Sequence, residues 1–232
     1  MKGPVVVIAA HPDDEVLGCG GAMARYARAG RPVHALLLAD GETSRVTAGT
    51  RNPGLEEINA RKTAAISACE LLGCASVEVL ALPDNRLDGM ELLDVVQRIE
   101  TFVARYGPAT VLTHHAGDVN VDHRVVHDAV IAACRPQPMH TVRELLFFEI
   151  PSSTEWRPPA SAPPFTPNWF VDISDTLDAK LAALRAYAPE MRPFPHPRSM
   201  EAVVALATWR GATVGVAAAE AFMLGRAIIR QD

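Results

Sequence analysis

One feature limits the fold more than any other. Short apolar runs alternate with longer stretches of helical periodicity through the first 134 residues. Val5–Ala10 is apolar without interruption, Val33–Ala39 is nearly so, and Val77–Leu82 and Thr110–Thr113 follow. A strand that is apolar on both faces must be covered on both faces. Between the runs lie Leu17–Ala29, closed by Gly30 and Pro32, and Leu55–Leu72, closed by Gly73. Glu91–Tyr106 before Gly107-Pro108 and Val121–Cys134 complete the helical stretches of this half. Strands that alternate with helices of this length predict an α/β fold: a Rossmann-like, mostly parallel sheet with helices on both faces. Leu145–Ile150 and Trp169–Ile173 read as further strands. Thr176–Tyr187 and Ser199–Arg230 read as helices, the second breakable at Gly211 or Gly215.

Pro151–Asn168 contains six prolines in eighteen residues, and Pro189–Pro197 contains four more, so both are expected to be loops. No repeat or sharp change of composition divides the chain. The expectation is one domain over residues 1–232, loop-rich from about residue 151.

Composition excludes several classes of partner. The 232 residues are 49% hydrophobic and 21% charged, as in a folded globular chain. The net charge of −5, without a basic run, argues against nucleic acid and anionic membranes. No apolar run approaches the roughly 18–20 residues of a membrane helix. The apolar start runs straight into a polar motif rather than a cleavage site, so a complete, cytoplasmic chain is expected. Cys19, Cys69, Cys74 and Cys134 lack C-x-x-C spacing, which fits a reducing compartment.

In a doubly wound sheet, ligands sit beyond the carboxyl ends of the strands, and the polar motifs fall there. Ala10-His11-Pro12-Asp13-Asp14-Glu15 follows the first run. An imidazole and a carboxylate three residues apart can meet on one divalent ion. Of two adjacent acids, one can ligate while the other stays free as a base. Asp118 to His127 follows the fourth run and opens a helix, with His123 and His127 on one face, so either could reach the same ion. His114 and His115 precede it, one expected in the sheet and one in the cleft. Gly18, Gly20 and Gly21 do not make a dinucleotide fingerprint and are better explained by close helix–strand packing, with Cys19 a small core residue. No Gly-x-Ser-x-Gly elbow supports a serine triad.

These motifs resemble the PIG-L/LmbE-like family of zinc-dependent N-deacetylases. The resemblance rests on the first motif with Val16-Leu17-Gly18-Cys19-Gly20-Gly21. It extends through Pro83-Asp84-Asn85-Arg86-Leu87, Thr113-His114-His115, Phe148-Glu149, Ser152 to Trp156, Pro195 to Ser199 and Arg210-Gly211. It implies hydrolysis of an N-acetyl group from an N-acetylglucosamine-type sugar. It also implies His11, Asp14 and His123 as ligands of one Zn²⁺, with Asp13 as general base; His127, on the same helix face as His123, is the reserve ligand. Many members carry His-Pro-Asp-His in the second motif, where the first histidine assists at the oxyanion. Here that position is Asn120, so either Asn120 or His196, from a proline-fixed loop, is expected to take the role.

Arg51, Arg86, Glu149, Glu155, Trp156, Arg198 and Arg210 are candidate substrate contacts. A His₂-carboxylate set also suits Fe²⁺. The expected partner is a small N-acetylated sugar, with room for a homo-oligomer. The rival readings are a metallohydrolase of another small amide or ester, and a non-catalytic sugar-binding relative.

Overall fold

Strand β1 (Val5–Ala9) lies inside the sheet, between β2 (Val33–Ala39) and β4 (Thr110–His114) and parallel to both. The computed structural model describes residues 3–45 and 54–229. β3 (Ser76–Leu82) and β5 (Glu144–Phe148) extend the parallel part outward. β7 (Ala219–Ala227) then runs antiparallel to β5, and β6 (Trp169–Asp172) runs antiparallel to β7. The order is β3-β2-β1-β4-β5-β7-β6, the Rossmann-like sheet expected from the strand–helix rhythm.

The uninterrupted apolar run of β1 has a direct cause. Val5, Val7 and Ala9 pack under α1 (Asp14–Arg28), in a core cluster to which α2 (Leu55–Leu71), α5 (Leu177–Ala186) and α6 (Met200–Ala212) also contribute. Val6, Ile8 and Ala10 pack on the other face, under α3 (Leu92–Tyr106) and α4 (Val121–Ala133). Neither face of this strand meets water, so no position along it tolerates a polar residue.

The C-terminal expectation needs correcting. The helix expected over Ser199–Arg230 ends at Ala212, and Ala219–Ala227 is a strand. Apart from Phe222 and Gly225 its sequence, AEAFMLGRA, consists of helix formers, and tertiary pairing on both edges overrides that propensity. Gly215, at φ +79°, makes the turn between the two elements.

The glycines of α1 serve packing, as expected. A Cβ on Gly18 would lie 2.5 Å from Phe148 Cδ2, and one on Gly21 would lie 2.8 Å from Ile173 Cδ1. The helix is kinked at Cys19 (φ −150°), whose thiol donates to the Glu15 carbonyl. The kink leaves amides of the second half without helical acceptors. Glu220 from β7 supplies them: its carboxylate accepts from Gly21 N (2.9 Å) and Ala22 N (2.7 Å). Lys180 of α5 neutralises that buried acid at 2.6 Å and donates its other bond to the Leu17 carbonyl. The helix carrying the first motif is thereby pinned by two neighbouring elements, β7 and α5.

Candidate metal centre and active site

The first motif occupies the turn from β1 into α1. Asp13 is the N-cap residue, with its carbonyl accepting from Val16 N and Leu17 N, yet its side chain makes no capping bond. Its backbone sits at φ +128°, ψ −29°, a conformation that costs a non-glycine residue on the order of 1–3 kcal/mol. The buried Glu15 carboxylate holds that turn. It accepts Asp13 N–H at 3.0 Å on one oxygen and the Tyr187 hydroxyl at 2.6 Å on the other. Burial pushes Glu15 up to about 8 against the pull of these two donors.

Asp14 points inward. Its Oδ2 lies 3.0 Å from His11 Nδ1 and 3.1 Å from His123 Nε2, and the two ring nitrogens are 3.3 Å apart. Four-coordinate zinc holds N and O ligands at about 2.0–2.1 Å, so tetrahedral ligand atoms stand about 3.3 Å from one another. The triangle has that size. Asp14 Oδ1 is also buried without a hydrogen-bond partner, which for a carboxylate costs on the order of 1–3 kcal/mol or more unless a cation compensates. The donors present therefore fit a divalent ion. His123 comes to the triangle because Asn120 caps α4, its Oδ1 accepting from Asp122 N (2.8 Å) and His123 N (3.4 Å).

Asp13 stands beside the triangle rather than in it. Its Oδ2 accepts from Arg198 Nη1 at 2.9 Å, and Arg198 Nε donates to Ser152 Oγ. Burial raises the Asp13 carboxyl to about 6, with the Arg198 charge opposing the rise. His11, Asp13, Arg198 and Asn120 line an open cavity of about 120 Å³ with Pro12, Gly41, Ser44, Arg61, Asp84, Asn85 and Glu190. Arg61 reaches Glu42 at 2.7 Å and Glu190 at 2.5 Å.

The remaining expected residues lie elsewhere. His127 Nδ1 donates to the His114 carbonyl (2.8 Å), and the ring packs on Phe147, away from the triangle. His114 is buried beneath the site, accepting Ala10 N–H and stacked on His123 at 3.9 Å. His115 faces the Pro163 carbonyl in the proline-rich segment instead of the cleft. His196 takes the Arg198 N–H on its Nδ1 and meets Trp156 edge-on at 5.6 Å; neither ring lines the cavity. Glu149 is held by both arms of Arg210, at 2.8 and 2.7 Å. Glu155 accepts the Ser152 and Ser153 amides. Arg86 is exposed at the start of a short turn, and Arg51 lies outside the described residues.

Sequence reasoning assigned no role to Asp84, Asp118, Asp122, Arg61 or Glu190. Three of these follow strand ends on β3 and β4, which is the signal that could have found them. Asp118 is the most firmly held. Burial works against its charge, but His123, the Ser153 hydroxyl and Asn120 N–H outweigh burial and hold it at about 2.

Residues 6–134 match the family model described as PIG-L, GlcNAc-PI de-N-acetylase. The chain belongs to the PIG-L family. Among its relatives is the uncharacterized deacetylase YaiS of Escherichia coli K12, 30% identical over 79% of this chain and 89% of that one. The 4-oxalmesaconate hydratase of Pseudomonas putida is also 30% identical, over 79% and 72%. The conserved protein TT1542 of Thermus thermophilus has the same fold, with a TM-score of 0.76 at 26% identity, covering 99% of this chain and 97% of that one. The PIG-L match covers both motifs, from β1 through α4. Among the described residues, no helix is long and apolar enough to cross a membrane.

Proposed function

We propose that this PIG-L chain is a zinc-dependent hydrolase that removes the N-acetyl group from an N-acetylglucosamine-type sugar. The observation that carries the reading is the pairing of a three-donor triangle with a carboxylate, Asp13, that is buried beside it and is not part of it. A binding module has no need of a strained residue that sets a free base next to a metal site.

His11, Asp14 and His123 would hold the ion. When bound, it supplies Lewis acidity toward a carbonyl oxygen and makes water a stronger acid. Fe²⁺ is the alternative that the same donors admit. Asp13 takes a proton from the attacking water as the water oxygen bonds to the acetyl carbon. When the C–N bond breaks, Asp13 returns that proton to the sugar nitrogen, leaving acetate and a free amine. Arg198 orients Asp13 toward the cavity. Asn120 Nδ2 donates one of its two protons to Asn85 Oδ1 at 3.0 Å, and the other is available to the developing oxyanion. His196, whose ring rests against Trp156 and does not line the cavity, is the weaker candidate donor.

The hydratase relative defines a competing reading, addition of water to an unsaturated polycarboxylate. The lining opposes it. Asp13, Asp84 and Glu190 border the cavity, and its two arginines are already bound to acids. A neutral, hydroxyl-rich substrate suits that lining better than a polyanion does.

The test is a panel of N-acetylated sugars, sugar conjugates, aryl esters and unsaturated polycarboxylates, run on zinc-loaded protein with Asp13→Asn alongside. Acetate release from one or more sugars is expected. Asp13→Asn should retain zinc and lose roughly 10²–10⁴ in kcat. Turnover confined to esters or polycarboxylates would overturn the reading, and near-full activity in Asp13→Asn would remove the assigned base.

A further inference from the structure

Each histidine of the triangle has a second ring nitrogen, and both of those nitrogens face carboxylates instead of water. His11 Nε2 lies 3.0 Å from Asp84 Oδ1 and 3.1 Å from Asp122 Oδ2. His123 Nδ1 lies 3.1 Å from Asp118 Oδ2, within ion-pair distance but out of line for a hydrogen bond, and has no other partner among the described residues. We propose that Asp122 and Asp118 are positioning residues that fix His11 as an Nδ1 ligand and His123 as an Nε2 ligand. The proposal rests on the metal-centre reading above.

A neutral imidazole carries one N–H and one lone pair. The nitrogen that faces a carboxylate outside the triangle keeps the proton, and the nitrogen on the triangle's side offers its lone pair to the ion it shares with Asp14. By this rule His11 must ligate through Nδ1 and His123 through Nε2. Those are the two atoms that face Asp14 Oδ2 in the triangle. The outer carboxylates thus suit the pair of tautomers that the ligand triangle requires.

Asp122 and Asp118 are suited to this role because neither can move. Asp122 is fully buried, its Oδ1 accepting Leu87 N–H at 2.9 Å and its Oδ2 accepting Asn85 N–H at 2.7 Å. Both amides belong to the segment after β3. Asp118 is also fully buried, held by Asn120 N–H at 3.0 Å, the Thr154 hydroxyl at 2.9 Å and the Ser153 hydroxyl. Asp84 shares the His11 nitrogen but also borders the cavity, so Asp122 is the fixed member of that pair. The five residues 118–122, with the Asn120 cap, therefore orient ligands on two strands' ends: His11 after β1 and, next in sequence, His123. At Asn120, whose usual counterpart is a histidine, the side chain sets the helix turn on which this arrangement depends.

The experiment uses the full chain, zinc-loaded and labelled with ¹⁵N-histidine, and reads ring tautomers from long-range ¹H–¹⁵N correlations. His11 is expected to show a protonated Nε2 with a downfield N–H proton, and His123 a protonated Nδ1. Zinc competition with a chelator is then measured for wild type, Asp122→Asn and Asp118→Asn. Asparagine at 122 has one acceptor oxygen for two backbone amides and turns an NH₂ toward one of them. Each variant is expected to bind zinc about 10–100-fold more weakly. In Asp122→Asn the His11 N–H proton should also move upfield. Coordination of wild-type His11 through Nε2 would overturn the proposal, as would zinc affinity within threefold of wild type in both variants. If Asp122→Asn fails to fold, the wild-type tautomers decide alone. Absence of stoichiometric zinc in wild type would instead bring down the metal-centre reading, and this inference with it.

Discussion

Gly18→Ala sets two well-measured effects against each other. In a helix, alanine is favoured over glycine by about 0.5–1 kcal/mol, so propensity alone predicts a more stable protein. The structure predicts the reverse. The new Cβ would lie 2.5 Å from Phe148 Cδ2, 2.8 Å from Cγ and 3.0 Å from Cε2, where carbon contacts normally stand about 3.5–4.0 Å apart. Phe148 is fully buried and cannot swing into solvent. Overpacking of a rigid ring costs about 1–3 kcal/mol, and contact with three ring atoms at once belongs at the upper end. The net expectation is a loss of about 2 kcal/mol. For a chain of this size that lowers the Tm by roughly 4–8 °C. The displacement should also reach the metal centre. Phe148 meets the His114 ring edge-on at 4.8 Å, and His114 stacks on His123 at 3.9 Å. Thermal unfolding of Gly18→Ala, Phe148→Leu and the double variant checks the argument. The smaller leucine should absorb the methyl, so the double variant should lose at least about 1 kcal/mol less than the sum of the single losses. A Tm above wild type in Gly18→Ala, or simple additivity, would refute the close-packing account.

Three further outcomes are expected. His123→Ala should lose stoichiometric zinc while His127→Ala keeps it, by elemental analysis; the opposite pattern would exchange the two assignments. Asn120→Ala should lower kcat by about 10²–10³ and, because the same side chain caps the turn that carries His123, should weaken zinc as well. Asn120→Asp, which keeps the capping oxygen and removes the Nδ2 donor, should instead lower kcat with zinc retained; a loss of that size in His196→Ala alone would move the oxyanion role to the loop. Lys180→Met should cost about 3 kcal/mol in urea unfolding because Glu220 then stays buried without its cation, and adding Glu220→Gln should recover part of that loss.

The sequence showed most of what local chemistry dictates. The central strand β1 was readable because burial on both faces leaves no polar residue to disguise the run. The first motif was readable because its ligands and its base are contiguous. Ala219–Ala227 was not, since its residues favour a helix and only the gap between β5 and β6 makes it a strand. Asp84, Asp118 and Asp122 carry no mark of their relation to His11 and His123. That relation exists only once the segments after β1, β3 and β4 are brought side by side. The separation of His127 from the centre was equally hidden, because a shared helix face at i, i+4 says nothing about which end of the face meets the cleft.

The Glu220 contacts bear on the order in which the chain can assemble. The amides that they satisfy lie 199 and 198 positions earlier in the sequence. Until β7 is paired, the second half of α1 begins with unclaimed N–H groups, and Lys180 has no anion to meet. The first helix is therefore finished by the last strand. Such long-range closure slows folding, because the ends must find each other before their contacts contribute. A chain lacking residues 219–227 would keep every proposed ligand and the base, yet would leave open the clamp behind the helix that carries two of those residues, Asp14 and, at its cap, Asp13.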